Sequence, residues 1–209
     1  MKWIHEKEVL RELPDSINIK MWREQYPFPP RVHRELEGEW LKEVWNWEGG
    51  DMSVRLYAPA RDFYITHAYY YPNGKKLRSS QSFGNVRIGI SKEFDEQGNL
   101  LNSIDDRLQF DGLKVKKEEV LKLLEAEGLF NRRTGTSIFF SDTLRDGRFY
   151  NKVMDNMHIR FIPAEGNNPP EWRILIYSAW VLDHMEIIYT INALTGEVKK
   201  EKKYAPIIM

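Results

Sequence analysis

The fold is decided by residues 63–77, which read FYITHAYYYPNGKKL. β-Branched and aromatic side chains dominate this run as far as Tyr71, and such residues favour β-strands. Asn73-Gly74 then predicts a tight hairpin turn, because a type I′ turn needs positive φ angles at both central residues. The stretch therefore predicts two antiparallel strands joined at Asn73-Gly74.

Short strands are predicted on both sides of this hairpin. Residues 53–57 are again β-branched and aromatic, and residues 86–94 lead into a second turn with the sequence DEQGN at positions 95–99. Strands of this length separated by Gly, Asn and Asp residues are typical of an antiparallel meander.

One main helix is predicted at residues 116–127, followed by further strands. Val120, Leu121, Leu123 and Leu124 give the helix an apolar face, and Gly128 follows its last turn. A shorter helix is predicted at the N-terminus, where Pro14 would stop it. The predicted segments are the short helix at 6–13 and strands at 137–140, 157–163, 171–182, 185–193 and from 197 onward.

The predicted fold class is α+β, with mostly antiparallel sheets, one main helix and two lobes. The first lobe would comprise residues 1–111, which are rich in strand patterns, and the second residues 112–209, which begin with the helix. Asp111-Gly112 lies between the two patterns and favours a turn at the boundary.

Composition excludes several classes of protein. The chain has 209 residues, 42% of them hydrophobic, with 31 Lys and Arg against 31 Asp and Glu. A balanced charge disfavours a nucleic-acid binder, which usually carries a basic excess, and the apolar content disfavours disorder. No apolar run approaches the roughly 20 residues that span a bilayer, so no membrane contact is predicted.

The expected location is the cytoplasm. Glu6, Lys7 and Glu8 interrupt the N-terminal segment where a signal peptide needs an apolar stretch. A signal peptide that has already been removed remains the alternative.

The motifs of catalysis and metal binding are missing from the sequence. The chain has no cysteine, which excludes thiolate zinc sites and thiol nucleophiles. Residues 95–106 lack the residue spacing of a calcium loop, and the glycines form no phosphate-binding motif. The sequence therefore predicts no catalytic residue, no cofactor and no metal ligand.

Aromatic side chains supply the candidate partner-binding residues. If residues 40–47 form a strand, Trp45 and Trp47 share one face and Trp40 lies on the other. Trp and Tyr are common in the residues that dominate binding energy, although core packing is the simpler interpretation. The candidate partner-binding residues are Trp40, Trp45, Trp47, Tyr69, Tyr71 and Lys75.

Residues 69–101 carry a resemblance to a known family. Tyr71-Pro72-Asn73-Gly74 with the lysines after it, then Gly84-Asn85, Gly89 and Gly98-Asn99, resembles the bacterial MORN-like repeat. Its unit is a β-hairpin with glycines in the turns, and YwqK-type proteins built from it are named antitoxin-like. The resemblance implies a protein that binds another protein, and a toxin is the partner it suggests.

The second half, at about residues 112–200, resembles a PepSY-like module. Its last hairpin would include Tyr189-Thr190-Ile191-Asn192-Ala193-Leu194-Thr195-Gly196-Glu197-Val198, with Asn192 in place of the usual aspartate and residues 172–177 as the partner strand. Such modules are small, non-catalytic α+β units that often act as inhibitors or accessory domains.

Three hypotheses about function follow. The first is a non-catalytic binding protein, resembling an immunity or antitoxin-like factor, that binds and blocks a partner protein. The second is a peptide- or ligand-binding PepSY-like module that offers a sheet edge for strand addition. The third is an unrecognised hydrolase that uses His67, His158 or His184 with nearby acids.

Overall fold

The computed structural model confirms an α+β fold of mostly antiparallel strands with one main helix. It describes residues 11–27, 32–37, 40–46, 51–58, 61–131, 136–137, 141–143, 149–151, 157–177 and 185–204. The chain forms two compact units, of which the first contains residues 1–82, 87–107 and 143–150 and the second the remainder. The lobe boundary expected at residues 111 and 112 stays a prediction.

An eight-stranded sheet runs through the N-terminal part of the chain. Its strands follow the order β1-β2-β3-β4-β5-β7-β8, and β6 pairs with β5 outside this path. The strands are β1 (Val32–Glu37), β2 (Trp40–Asn46), β3 (Met52–Ala58), β4 (Arg61–Tyr70), β5 (Lys76–Phe83), β6 (Val86–Arg87), β7 (Ile90–Phe94) and β8 (Leu100–Asp105).

The predicted hairpin joins β4 to β5, but its turn is not the expected type I′ turn centred on Asn73-Gly74. The Gly74 N–H donates to the Tyr71 carbonyl at 2.9 Å, so Pro72 and Asn73 are the central residues and Gly74 follows them. Gly74 has a φ of +84°, and the backbone N–H of Tyr71 donates to the carbonyl of Lys75 at 2.9 Å. The N–H of Ile17 donates to the Gly74 carbonyl at 2.8 Å, so the turn also anchors the N-terminal segment.

A helix that the sequence analysis missed covers one face of this sheet. Helix α1 (Ile19–Gln25) begins after Asn18, whose side-chain oxygen accepts a hydrogen bond from the N–H of Met21 at 3.1 Å. Of the helix predicted at 6–13, residues 11–13 are not helical and residues 6–10 lie outside the described residues. The core under α1 contains Leu13, Tyr26, Val44, Met52, Val54, Leu56, Ala68 and Tyr70.

The second unit packs the main helix with a four-stranded antiparallel sheet. Helix α2 (Lys117–Ala126) is confirmed as predicted, and Gly128 follows it with a φ of +71°. The sheet has the order β13 (Met157–Ile162), β14 (Glu171–Tyr177), β15 (Met185–Asn192) and β16 (Val198–Tyr204). Short strands precede it at β9 (Phe130–Asn131), β10 (Thr136–Ser137), β11 (Ser141–Thr143) and β12 (Phe149–Asn151).

Trp172 is the centre of the second core. Its ring is fully buried and stacks on Phe110, with ring centroids 5.5 Å apart. Its indole N–H donates to the Val115 carbonyl at 3.0 Å, which ties the segment before α2 to the sheet. Residues 172–177 pair with β15 as predicted, while residues 178–182 and 138–140 of two predicted strands lie outside the described residues.

The strand predicted at 86–94 is wrong as a single element. It divides into β6 and β7 at Ile88-Gly89, because the Ile88 N–H donates to the Gln81 carbonyl and the Gly89 carbonyl accepts from Asp106. The chain stays beside β5 on both sides of this break, since β6 and β7 both pair with β5. No helix among the described residues is long and apolar enough to cross a membrane.

Candidate functional site

A row of polar and charged side chains crosses four strands of the eight-stranded sheet. Arg34 of β1 pairs in register with Glu43 of β2, Glu43 with Arg55 of β3, and Arg55 with His67 of β4. Directly paired residues point to the same face of a sheet. The four side chains therefore form one continuous ladder on the face opposite α1.

Glu43 carries the buried negative charge of this ladder. Its side chain has 0% exposure, and its carboxylate accepts hydrogen bonds from Arg34 Nε at 2.8 Å and from the Tyr57 hydroxyl at 2.8 Å. The indole N–H of Trp45 donates to the same carboxylate at 3.4 Å. Burial raises the pKa of Tyr57 far above its ordinary value, and the charge of Glu43 raises it further, so Tyr57 remains a donor.

His67 lies at the other end of the row and is held neutral. Burial, followed by the charges of Arg55 and Arg78, lowers the pKa of His67 to about 3, with Glu43 acting in the opposite direction. The Nε2 atom of His67 is buried and has no hydrogen-bond partner among the described residues. The Tyr69 ring lies 4.3 Å from the His67 ring between centroids.

Two arginines beside His67 are held by aromatic rings. The Arg55 guanidinium lies 5.2 Å from the centre of the Trp45 ring, and the Arg78 guanidinium lies 3.9 Å from that of Tyr69. No described carboxylate comes within 4.0 Å of either guanidinium, whereas Arg34 is paired with Glu43. The group formed by Arg55, His67, Tyr69 and Arg78, called the arginine site below, therefore has excess positive charge.

A pocket of about 600 Å³ lies elsewhere in the first unit. Its walls include Leu13, Lys76, Gln81 and Phe94. The buried Lys76 ammonium donates to the Leu13 carbonyl and to the Asp15 carboxylate, both at 2.7 Å. This bond to Lys76 lowers the pKa of Asp15, and the volume lies in the range of small-molecule sites.

Strand β8 is an edge of the eight-stranded sheet and exposes apolar side chains. Leu100 is 54% exposed, Leu101 67% and Ile104 48%. Ile90 of the neighbouring strand β7 is also exposed, at 41%. The outer side of β8 makes no backbone hydrogen bond within the part of the chain that the structure describes.

The other edge strands of the two larger sheets carry charged side chains or are partly covered by a backbone hydrogen bond. Strand β16 has five charged residues among seven, and β1 reads VHRELE. The edge of β13 is partly covered, because the N–H of Asn85 donates to the Ile159 carbonyl at 3.1 Å. Charged side chains discourage the addition of a foreign strand, so β8 differs from these edges.

The structure separates the predicted partner-binding residues. Trp40 packs against the core under α1, whereas Trp45 lies on the opposite face of β2 as the alternation predicts. Tyr69 belongs to the arginine site with Arg78 over its ring. Tyr71 is half-buried and donates to the Phe94 carbonyl at 3.0 Å, Lys75 is exposed, and Trp47 lies outside the described residues.

The histidines of the hydrolase hypothesis lie in different parts of the chain. His67 belongs to the first unit and His158 to the second, and His184 lies outside the described residues. Within the described ranges, no three His, Asp or Glu side chains are placed to hold a metal ion.

Sequence reasoning missed Arg55, Arg78 and Glu43. Each lies in a predicted strand or next to one, and alternation assigns a strand face to each. Their proximity depends on the register in which β2, β3 and β4 pair, which the alternation of residue types along each strand does not define.

Comparison with protein-family models finds no match, and neither curated proteins nor solved structures give one. The function is therefore argued from the geometry of this chain.

Proposed function

We propose that this protein is a non-catalytic binding protein, resembling an immunity or antitoxin-like factor, that binds and blocks a partner protein. The exposed edge strand β8 is the observation that carries the proposal. Three of its six side chains, Leu100, Leu101 and Ile104, are large, apolar and about half exposed or more.

An edge of this kind supports binding by strand addition. The backbone groups on the outer side of β8 are available to pair with an extended segment, which would contribute the main-chain hydrogen bonds. Residues 99–104 carry no charge, so a partner strand would meet no charged side chain of β8 before Asp105. Exposed apolar side chains would then give specificity for the side chains of the partner.

The surface around β8 extends the apolar contact. Ile90 stands opposite Asp105 in the β7–β8 register and is 41% exposed. Isolated exposed apolar residues are common, but several of them on one unpaired edge strand are typical of an interaction surface. The partner that fits is therefore a protein with an extended, largely apolar segment.

A ligand-binding module is the second candidate, and the pocket lined by Lys76 and Gln81 favours it. The pocket belongs to the first unit, whereas the PepSY-like resemblance concerns the second half of the chain. A small molecule there would make contacts with the Lys76 ammonium and with serine and glutamine side chains of β5. The two functions are separable, because their surfaces can be substituted independently.

Affinity capture with matched variants tests the first proposal. The tagged wild-type chain, Leu101→Lys and Ile104→Lys are used to capture proteins from the native lysate. Leu194→Lys is the control, because Leu194 is also an exposed leucine, at 50%, and lies in the β15–β16 turn of the second unit. We expect one stoichiometric protein with wild type and Leu194→Lys, and its loss with both β8 variants.

Hydrogen exchange then locates the contact in the captured complex. The amides of residues 100–105 should become protected, because strand addition bonds the free edge. Equal capture by wild type and both β8 variants would contradict the role of β8. Protection that appears around Lys76 only on addition of a small molecule would support the ligand-binding candidate instead.

A further inference from the structure

The arginine site, formed by Arg55, His67, Tyr69 and Arg78, is a second place where this chain can bind another molecule. It lies on the face of the sheet opposite α1 and does not include β8. We propose that it binds a carboxylate group, which would contact both guanidiniums and the Nε2 atom of His67.

The carboxylates that face the two arginines are Glu43 of β2, opposite Arg55, and Glu93 of β7, opposite Arg78. Burial lowers the pKa of Arg55, but its contact with Tyr57 and the charge of Glu43 outweigh burial and raise it. Glu43 is itself bonded to Arg34 at 2.8 Å, and neither Arg55, which is half-buried, nor Arg78 has a described carboxylate within 4.0 Å. A partly buried cation is unfavourable without an anion nearby, and a bound anion would supply it.

His67 provides an independent indication of a missing polar partner. Its Nε2 atom is buried and unpartnered among the described residues, whereas buried polar groups in folded proteins are nearly always hydrogen-bonded. The neutral imidazole donates through whichever ring nitrogen carries the proton. With the proton on Nε2, His67 can donate to an oxygen atom held between Arg55 and Arg78.

The aromatic rings fix the two guanidiniums. Arg78 lies over Tyr69 at 3.9 Å and Arg55 over Trp45 at 5.2 Å. A guanidinium stacked on a ring keeps its N–H groups free around its edge, where a planar acceptor can bind. The donors are therefore held in place before a ligand arrives, which lowers the entropic cost of binding.

The neighbouring pair shows which chemistry this face of the sheet accommodates. At the adjacent position of the same row, the carboxylate of Glu43 accepts hydrogen bonds from Arg34, Tyr57 and Trp45. The arginine site repeats a guanidinium flanked by an aromatic side chain, and a planar carboxylate matches the guanidinium geometry. Its source is either an acidic side chain of a bound protein or a free small carboxylate.

Titration of the full-length chain followed by NMR tests this inference. The probes are acetate, succinate, and a short peptide with one glutamate and blocked ends. We expect saturable shifts of the Arg55 and Arg78 side-chain N–H signals and of the His67 ring, together with an increase of the His67 pKa. Stronger binding of the free acids indicates a small ligand, and stronger binding of the peptide indicates a protein side chain.

Arg78→Gln is the matched variant, with Arg160→Gln as the control. Both arginines are exposed and both substitutions remove one positive charge, but Arg160 lies in β13 of the second unit. Loss of a hydrogen bond to a charged group should weaken binding by about tenfold or more in Arg78→Gln, and Arg160→Gln should bind as wild type.

Three results would overturn the assignment. The first is the absence of saturable shifts at Arg55, Arg78 and His67 with every carboxylate probe, a result that needs no variant. The second is equal weakening by Arg78→Gln and Arg160→Gln, which would indicate general charge attraction. The third is tighter binding of inorganic phosphate than of any carboxylate, which would assign a different ligand.

Discussion

Arg34 donates a 2.8 Å hydrogen bond from Nε to the carboxylate of Glu43, the residue directly opposite it in the β1–β2 register. Glu43 is completely buried, whereas the Arg34 side chain is 33% exposed. The charge of Glu43 is thus stabilised by a short row of donors in the middle of a sheet.

Replacing Glu43 should be strongly destabilising. Glu43→Ala removes the acceptor that Arg34 and Tyr57 share, and loss of one partner from a buried ion pair costs about 3–5 kcal/mol. Glu43→Gln keeps the shape and one carbonyl oxygen, so we expect a smaller loss. Urea unfolding followed by circular dichroism measures both changes in the free energy of unfolding.

Glu37→Gln is the matched control for Glu43. Glu37 also pairs with an arginine, Arg11, at 3.4 Å, but both side chains are about half exposed. Surface pairs of this kind contribute about 1 kcal/mol or less. Equal destabilisation by the two glutamate-to-glutamine substitutions would show that burial of Glu43 is not what makes its pair important.

The lowered pKa of His67 should make the free energy of unfolding depend on pH. Its pKa falls from an ordinary 6.5 to about 3 in the folded chain, so between these values the unfolded state binds more protons. The stability contributed by neutral His67 is complete above pH 6.5 and declines as the pH falls towards 3. The slope from this group approaches about 1.4 kcal/mol per pH unit.

Chemical unfolding at a series of pH values tests this dependence. Carboxylates also titrate in the lower part of the range, so the quantity to compare is the difference between wild type and His67→Gln. We expect the variant to lose less stability between pH 6.5 and 4.5 than wild type does. Parallel curves for the two proteins would contradict the lowered pKa of His67.

Gly74 should tolerate alanine much less well than Gly112. Both have positive φ angles, +84° and +74°, so both alanine variants carry the backbone cost of about 1–2 kcal/mol. A Cβ at Gly74 would lie 2.1 Å from the Ile17 carbonyl oxygen, whereas no described atom lies within 4 Å of one at Gly112. Overpacking against backbone should add about 1–3 kcal/mol at Gly74.

Thermal unfolding of Gly74→Ala and Gly112→Ala measures this difference. The comparison isolates the close approach of Ile17 to the turn, since the backbone conformation is similar at the two glycines. If both variants unfold at the same temperature, Ile17 does not lie against the hairpin as the structure places it.

Local chemistry explains which elements of the fold were predictable. The turn at Asn73-Gly74 and helix α2 with Gly128 after it follow from residues adjacent in sequence. Helix α1 was missed because it has only seven residues and none of its side chains is fully buried. The capping residue Asn18 was the main indication of this helix in the sequence. The break at Ile88-Gly89 was missed because its backbone bonds are to Gln81 of β5 and to Asp106, the residue after β8, neither of which is adjacent to it in sequence.

The residues of the candidate sites were harder to predict, because they too are brought together from separate strands. Aromatic side chains led the sequence analysis to Trp45 and Tyr69, which the structure places beside Arg55 and Arg78. The arginines themselves are ordinary strand residues in the sequence. Only the register of β2, β3 and β4 places Glu43, Arg55 and His67 in one row.

Asn192 provides the last prediction, because its side chain bonds the backbone of the turn between β15 and β16. Its side-chain oxygen accepts hydrogen bonds from the N–H groups of Leu194 at 2.9 Å and Thr195 at 3.0 Å. Asn192→Ala removes this acceptor and should cost about 1 kcal/mol. Asn102→Ala, at an exposed position of β8, should change stability by less than about 0.5 kcal/mol.

Asn192→Asp should restore the acceptor in a charged form. A carboxylate that accepts two N–H groups forms stronger hydrogen bonds than an amide does, so at neutral pH we expect stability equal to or above that of wild type. The gain should disappear as the carboxyl group is protonated, since accepted N–H bonds lower its pKa in the folded state. Urea unfolding at pH 7 and pH 3 distinguishes these cases, and a loss in Asn192→Asp similar to that in Asn192→Ala at pH 7 would contradict the role of Asn192 as an acceptor.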